Sequence, residues 1–156
     1  MAGIQVKRDG VQLRAGDVMR RHVVALSPDM TLREAAQVFF DHGVSGAPVV
    51  DAEGRLVGAV SQRDLVLGRT GAADEAAYFT QESTAVAPPP SLGPEADERR
   101  VRDVMAPASP LVREQTSVRA IGRVMLRRQV HRVVVGREGT LAGIVTSMDV
   151  LRALLR

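Results

Sequence analysis

Two short phrases carry the side chains best suited to chemistry: Ser61-Gln62-Arg63-Asp64 and Thr146-Ser147-Met148-Asp149, with Gly58 and Gly143 three residues before the hydroxyls. In each, a hydroxyl stands three residues ahead of a carboxylate, a spacing that puts both on one helix face. Each phrase follows an apolar run ending at Val60 or Val145, so a strand should end and a helix begin at the hydroxyl. The first turn of a helix has unpaired N–H groups and the positive end of the dipole, which together favour a phosphate. The hydroxyl adds a donor. The carboxylate can accept both hydroxyls of a ribose, as an acidic residue does in dinucleotide folds. Gly58 and Gly143 would let backbone and ligand approach closely. The same Ser/Thr-x-x-Asp pattern is also a near relative of the capping box, in which the carboxylate folds back on its own helix start. The roles are compatible, because an empty site would leave the same residues capping.

Other chemistries find little support. The chain has no cysteine, hence no disulfide framework, thiol nucleophile or cysteine metal site. Its histidines, His22, His42 and His131, are scattered, and there is no HExxH pattern, phosphate-binding Walker loop, cluster of carboxylates or glycine-rich dinucleotide turn. Catalysis is therefore not expected. No apolar run approaches the length of a membrane span, and the start, MAGIQVKRDG, lacks the apolar stretch of a signal peptide, so a cytoplasmic protein is expected.

Charge divides the chain. Residues 1–98 hold 9 basic and 14 acidic side chains, whereas residues 99–156 hold 12 basic and 4 acidic. Lys7 is the only lysine. An arginine-rich half suits phosphate groups, because guanidinium offers a planar bidentate fork. Nucleic acid is one such partner, but one Tyr, three Phe and no Trp make a poor stacking platform. Arg123, Arg127 and Arg128 fall on a helix and are expected to face water.

The elements that must position the two phrases come in duplicate. Asp17-Val18-Met19 recurs as Asp103-Val104-Met105, and the same offset of 86 pairs Thr31-Leu32-Arg33 with Ser117-Val118-Arg119. After a one-residue deletion the offset of 85 pairs Gly54 with Gly139, Leu56 with Leu141, Ser61 with Thr146 and Asp64 with Asp149. Each unit reads β-α-β-β-α. In the first, Val23–Leu26 is an expected strand, and Thr31 caps a helix from Leu32 to His42 whose apolar face takes Ala35, Ala36, Phe39 and Phe40. Ala47–Val50 and Leu56–Val60 form a hairpin, and Gln62–Leu67 a last helix. The second unit offers Pro110–Val112, Val118–Arg128, Arg132–Gly136, Leu141–Val145 and Ser147–Leu155. The hairpin strands are nearly all apolar, so both faces should be buried. One unit is too small to do this, and two packed sheet to sheet would share a core. The fold class is thus α/β (α+β), with an N-terminal segment 1–16, repeats at 17–69 and 103–156, and between them an acidic, proline-containing insert, 70–102, with an expected helix at 74–85 and a loop over 86–94.

The repeat, the Asp-Val-Met leader and the phrase Gly-x-x-Ser/Thr-x-x-Asp together resemble the CBS domain, named from cystathionine β-synthase. The resemblance implies a tandem pair, or Bateman module, with pseudo-two-fold symmetry. It also implies a regulatory rather than catalytic role and an adenosyl ligand: AMP, ADP, ATP, S-adenosylmethionine or NAD(H). Stand-alone bacterial pairs of this kind imply a homodimer through the CBS helices and a separate effector protein. By the same resemblance each pocket mixes the repeats. One would join Ser61, Arg63 and Asp64 to Ser109, Pro110, His131 and Arg132. The other would join Thr146 and Asp149 to Val23, Val24, Ser45, Gly46, Ala47 and Pro48. His131-Arg132 is similar to a pair that touches phosphates in the family, although Val133 stands where the family has proline. Two other readings stay open: a nucleic-acid-binding protein using the arginine-rich C-terminal half, and an assembly module with degenerate pockets.

Overall fold

Local chemistry sets the helix starts. The Thr31 hydroxyl accepts the Glu34 N–H at 3.1 Å while the Glu34 carboxylate accepts the Thr31 N–H at 2.8 Å, a reciprocal cap. In a computed structural model, which describes residues 12–68, 91–108 and 110–156, this cap opens the first long helix. The helices are α1 (Ala15–Val18), α2 (Leu32–His42), α3 (Gln62–Leu67), α4 (Val118–Arg128) and α5 (Ser147–Leu154). The strands are β1 (Gly46–Val50), β2 (Leu56–Ser61), β3 (Ala106–Pro107), β4 (Val112–Arg113), β5 (Arg132–Arg137) and β6 (Thr140–Thr146). They make two three-stranded sheets, β1-β2-β3 and β4-β5-β6. Gly43 ends α2 in the left-handed region, φ 63°, where a glycine carries no Cβ penalty.

Leu26, Leu32, Ala35, Phe39, Val49 and Val60 build the first core; Val118, Ile121, Met125, Val133 and Val145 build the second. Leu56 and Ala59 of β2 meet Val134 of β5 and Ile144 of β6 between the sheets, with Val23 packed beside them. The expected sheet-to-sheet packing is therefore present. Arg55 and Thr140 form an antiparallel bridge, and the Leu141 N–H donates to Gly54 O at 3.0 Å. The hairpins thus meet near their turns with opposed chain directions, and β2 and β6 leave that contact towards opposite ends of the interface.

The leaders are exchanged between the units. Ala15 N–H donates to Thr116 O at 2.8 Å, and Arg20 exchanges two backbone bonds with Ile144 at 2.9 and 3.0 Å, so the first leader closes the second unit. The second leader closes the first: β3 pairs with β2, and the Val101 N–H donates to Met30 O at 2.8 Å. The bridges Arg14–Ser117 and Arg100–Thr31 are equivalents under the 86-residue offset, as expected of a pseudo-two-fold pair.

Some expectations are corrected. Val23–Leu26 is not a strand: only Leu26 reaches the sheet, through a parallel bridge to Val49, while Val23 turns to the sheet interface. The short strand of the second unit lies at Val112–Arg113 rather than Pro110–Val112. Phe40 lies off the apolar face of α2 and is 51% exposed, because Leu32, Ala35, Ala36 and Phe39 already fill that face. The expected helix 74–85, the loop from 86 to 90 and Ser109 lie outside the described residues.

Candidate functional site

Both hydroxyl–aspartate phrases fall where a strand hands over to a helix. Ser61 ends β2 and caps α3; Thr146 ends β6 and caps α5. The Asp64 Oδ2 accepts the Ser61 N–H at 2.7 Å and the Ser61 hydroxyl at 2.9 Å, while the Asp64 N–H faces the same hydroxyl at 3.3 Å. At the second site the corresponding distances for Thr146 and Asp149 are 2.9, 2.7 and 3.3 Å. The capping role is therefore present at both positions. Ser61, Asp64 and Asp149 are also the buried polar and charged residues among those described, at 1, 7 and 9% exposure. Burying a carboxylate is costly unless its oxygens are hydrogen-bonded, and here one oxygen takes two donors.

The sheet registers place the remaining candidates. In the first unit Gly46 lies opposite Ser61, Ala47 opposite Val60 and Pro48 opposite Ala59. The Gln62 N–H donates to Ser45 O at 2.8 Å, so Ser45–Pro48 lines the strand beside the first cap. In the second unit Arg132 lies opposite Thr146, and the Ser147 N–H donates to His131 O at 2.8 Å. His131 and Arg132 are half-buried, Arg63 is exposed, and Val23 and Val24 are half-buried. These hydrogen bonds join each cap to the strand start of its own repeat, and the contacts between repeats run through Val23, Leu56, Ala59, Val134 and Ile144.

Gly58 and Gly143 do a different job from the one expected of them. A Cβ on Gly58 would lie 2.7 Å from Met105 Sδ and 2.8 Å from Ala106 O; one on Gly143 would lie 2.8 Å from both Met19 Sδ and Arg20 O. The exchanged leaders, rather than a ligand, use the space these glycines leave. Sequence reasoning missed this partnership, although the repeated Asp-Val-Met and the repeated glycine were its signal. It also missed Arg20, whose Nη2 lies 3.7 Å from Asp149 Oδ1, with Arg152 Nη1 at 3.8 Å from the same oxygen. At the equivalent position beside the first cap the other leader carries Ala106.

The leader is clamped again farther out. Glu114 accepts Arg137 Nε at 3.0 Å and Nη2 at 2.6 Å, and Arg21 Nη1 at 3.4 Å. The Arg137 hydrogen bonds, with Arg21 adding to them, hold the Glu114 carboxyl below its ordinary value. A cavity of about 840 Å³ opens here, lined by Pro110, Arg113, Glu114, Arg137 and Glu138, at the opposite end of β5 from Arg132. A smaller one, about 180 Å³, adjoins the second cap and is lined by Asp17, Asp149, Arg152 and Arg156. Among the described residues no group of three or more His, Asp or Glu is placed to hold a metal ion, and no helix is long and apolar enough to cross a membrane.

Two like repeats, packed sheet to sheet and each ending in a hydroxyl-capped helix with a buried aspartate, define a paired-repeat α/β module. The CBS domain matches the chain at residues 15–69 and again at 101–156, and the chain belongs to the CBS-domain family. It is similar to the CBS domain-containing protein CBSX1, chloroplastic, of Arabidopsis thaliana, at 31% identity over 86% of this chain. The chain spans 59% of that relative's length. Among solved structures it resembles CBSX2 in complex with AMP, at 26% identity, with a TM-score of 0.66 and coverage of 92% of this chain and 96% of that one. It also resembles the cytosolic domain of the Mg2+ channel MgtE in complex with ATP, at 27% identity and a TM-score of 0.65, over 92% of this chain and 49% of that one.

Proposed function

We propose that this chain is a non-catalytic regulatory module that binds an adenine nucleotide between its repeats and transmits occupancy to a separate protein, acting as a homodimer through its helices. The observation that carries the reading is the doubled cap: a buried aspartate beside a hydroxyl at the start of α3 and again at the start of α5. The relatives solved with AMP and with ATP support an adenosyl ligand. In the first pocket Ser61 and Asp64 take the ribose, while Arg63, His131 and Arg132 serve the phosphates, with Ser109 and Pro110 at the border. In the second, Thr146 and Asp149 take the ribose, with Val23, Val24 and Ser45–Pro48 along the other side. There Asp149 already meets Arg20 and Arg152, so a ribose must compete with two ion pairs. The first pocket is thus the better site for a charged nucleotide. S-adenosylmethionine and NAD(H) are the other ligands of the same adenosyl chemistry.

Signal transfer needs only that the ligand bind one arrangement of the repeats better than another, because a ligand shifts an equilibrium by its difference in affinity. The test is calorimetric titration of AMP, ADP, ATP, S-adenosylmethionine and NADH into the protein, Asp64→Ala and Asp149→Ala. Saturable binding that Asp64→Ala abolishes supports the reading. No binding by any of the five, in folded protein free of co-purified nucleotide, reduces both aspartates to helix caps and overturns it.

A further inference from the structure

Helix α4 presents Arg119, Arg123 and Arg127 at intervals of four residues, which places them on one face, with Leu126 beside them. All four are exposed, Leu126 to 81%, while Val118, Ile121 and Met125 are buried on the other side. Among the described residues the side chains of these three arginines make no ion pair or hydrogen bond, and α4 contains no acidic residue. The offset of 86 maps this face onto α2, where Gln37 replaces Arg123, Asp41 replaces Arg127 and exposed Phe40 replaces Leu126. Gln37 Nε2 donates to Asp41 Oδ1 at 2.7 Å, an arrangement that leaves the Asp41 charge unneutralised. Arg33, on the flank of α2, is paired with Asp97 at 2.7 Å. Two equivalent faces of one chain therefore share a central exposed apolar side chain and carry opposite charge around it.

We propose that two copies of the chain associate head to tail, α2 of one against α4 of the other, with Phe40 and Leu126 in contact and Asp41 opposite Arg123 and Arg127. This rests on the reading of the chain as a homodimer and fixes its orientation. A two-fold axis makes the contact twice, so both charged faces are used. Head-to-head packing would instead set the arginines of α4 against their own copies and Asp41 against its own, and like-charge juxtaposition suppresses a competing arrangement. The neighbouring helices agree. Val66 and Leu67 on α3, and Leu151 and Leu154 on α5, are about half exposed, and each pair adjoins the long helix of its unit. The same orientation covers them against one another.

Because the chain has no cysteine, introduced thiols report orientation cleanly. In mixtures of Phe40→Cys with Leu126→Cys, oxidation should link the two variants to each other, while neither variant links to itself. Self-linking of either variant shows a head-to-head dimer and overturns the orientation, as does absence of linking in protein that sediments as a dimer. Protein that sediments as a monomer overturns the homodimer as well, and salt-dependent binding of a single-stranded oligonucleotide by that monomer would assign the arginine face to nucleic acid. A second measurement uses charge alone. Asp41→Arg and Arg127→Asp should each raise the dimer dissociation constant about tenfold, since each disturbs two symmetric contacts. Their combination in one chain should restore it; failure to restore it overturns the pairing. The nucleotide titration is independent of these outcomes.

Discussion

The sulfur of Met19 lies where a side chain on Gly143 would have to stand, 2.8 Å from the Cβ position, and Met105 stands in the same relation to Gly58 at 2.7 Å. Each glycine admits the leader of the other repeat, whose backbone carbonyl crosses at 2.8 Å. The exchange turns two small units into one body, because neither core closes without a segment of the other: Ala15 and Met19 complete the second, Val101 and Val104 the first.

Gly143→Ala and Gly58→Ala should therefore destabilise the chain. A methyl can displace the end of a methionine, but not a carbonyl held by sheet pairing, and overpacking of this kind costs about 1–3 kcal/mol. Urea unfolding measures the loss. Wild-type stability in both variants would show that the leaders do not seat as described.

The caps make a second, separable prediction. Asp64→Ala and Asp149→Ala remove the acceptor of both the hydroxyl and the backbone N–H at a helix start, a loss of about 0.5–2 kcal/mol each. Asp64→Asn keeps one acceptor oxygen and should recover part of the stability without recovering ribose binding. Thermal unfolding set beside nucleotide titration separates the two roles.

Much of this was legible in sequence, and the reason is periodicity. The hydroxyls of Thr31, Ser61, Ser117 and Thr146 mark four helix starts, and the alternation of turn and apolar run marks the hairpins within a residue or so. Phe40 was misplaced because it adjoins Phe39 in sequence, whereas a 100° step carries it off the buried face. The Val23–Leu26 run was read as a strand because apolar content does not distinguish ladder pairing from burial against a second sheet. Gly58 and Gly143 were assigned to a ligand because a glycine announces close approach without naming what approaches. The leader exchange and the Arg20–Asp149 contact are long-range, and no local pattern encodes which repeat a leader closes.

Acid should weaken the leader clamp. Arg137, with Arg21, holds the Glu114 carboxyl below its ordinary value, and Arg33 does the same for Asp97. A depressed carboxylate contributes stability that is complete above its unfolded-state value and is lost as pH falls through the lowered folded-state value. Stability should thus decline on acidification below the ordinary carboxylate range, and Glu114→Gln should flatten part of that decline, leaving the share due to Asp97. Parallel urea titrations across that range test it; an unchanged slope in Glu114→Gln would assign the acid sensitivity elsewhere.

The exchanged leaders and the shared layer of Leu56, Ala59, Val134 and Ile144 predict one unfolding transition for both repeats. Phe39, 1% exposed in the first core, provides the lever, since its truncation to alanine should cost about 3–5 kcal/mol. If the repeats were independent, Phe39→Ala would melt the first unit early and leave β5 and β6 protected. If they are coupled as the leaders imply, the single transition moves down as a whole, calorimetric and van't Hoff enthalpies stay equal, and amides of β5 and β6 lose protection together with those of β1 and β2. Hydrogen exchange resolved by strand decides between these outcomes, and two separate transitions in the variant would mean that leader exchange positions the repeats without making them one cooperative unit.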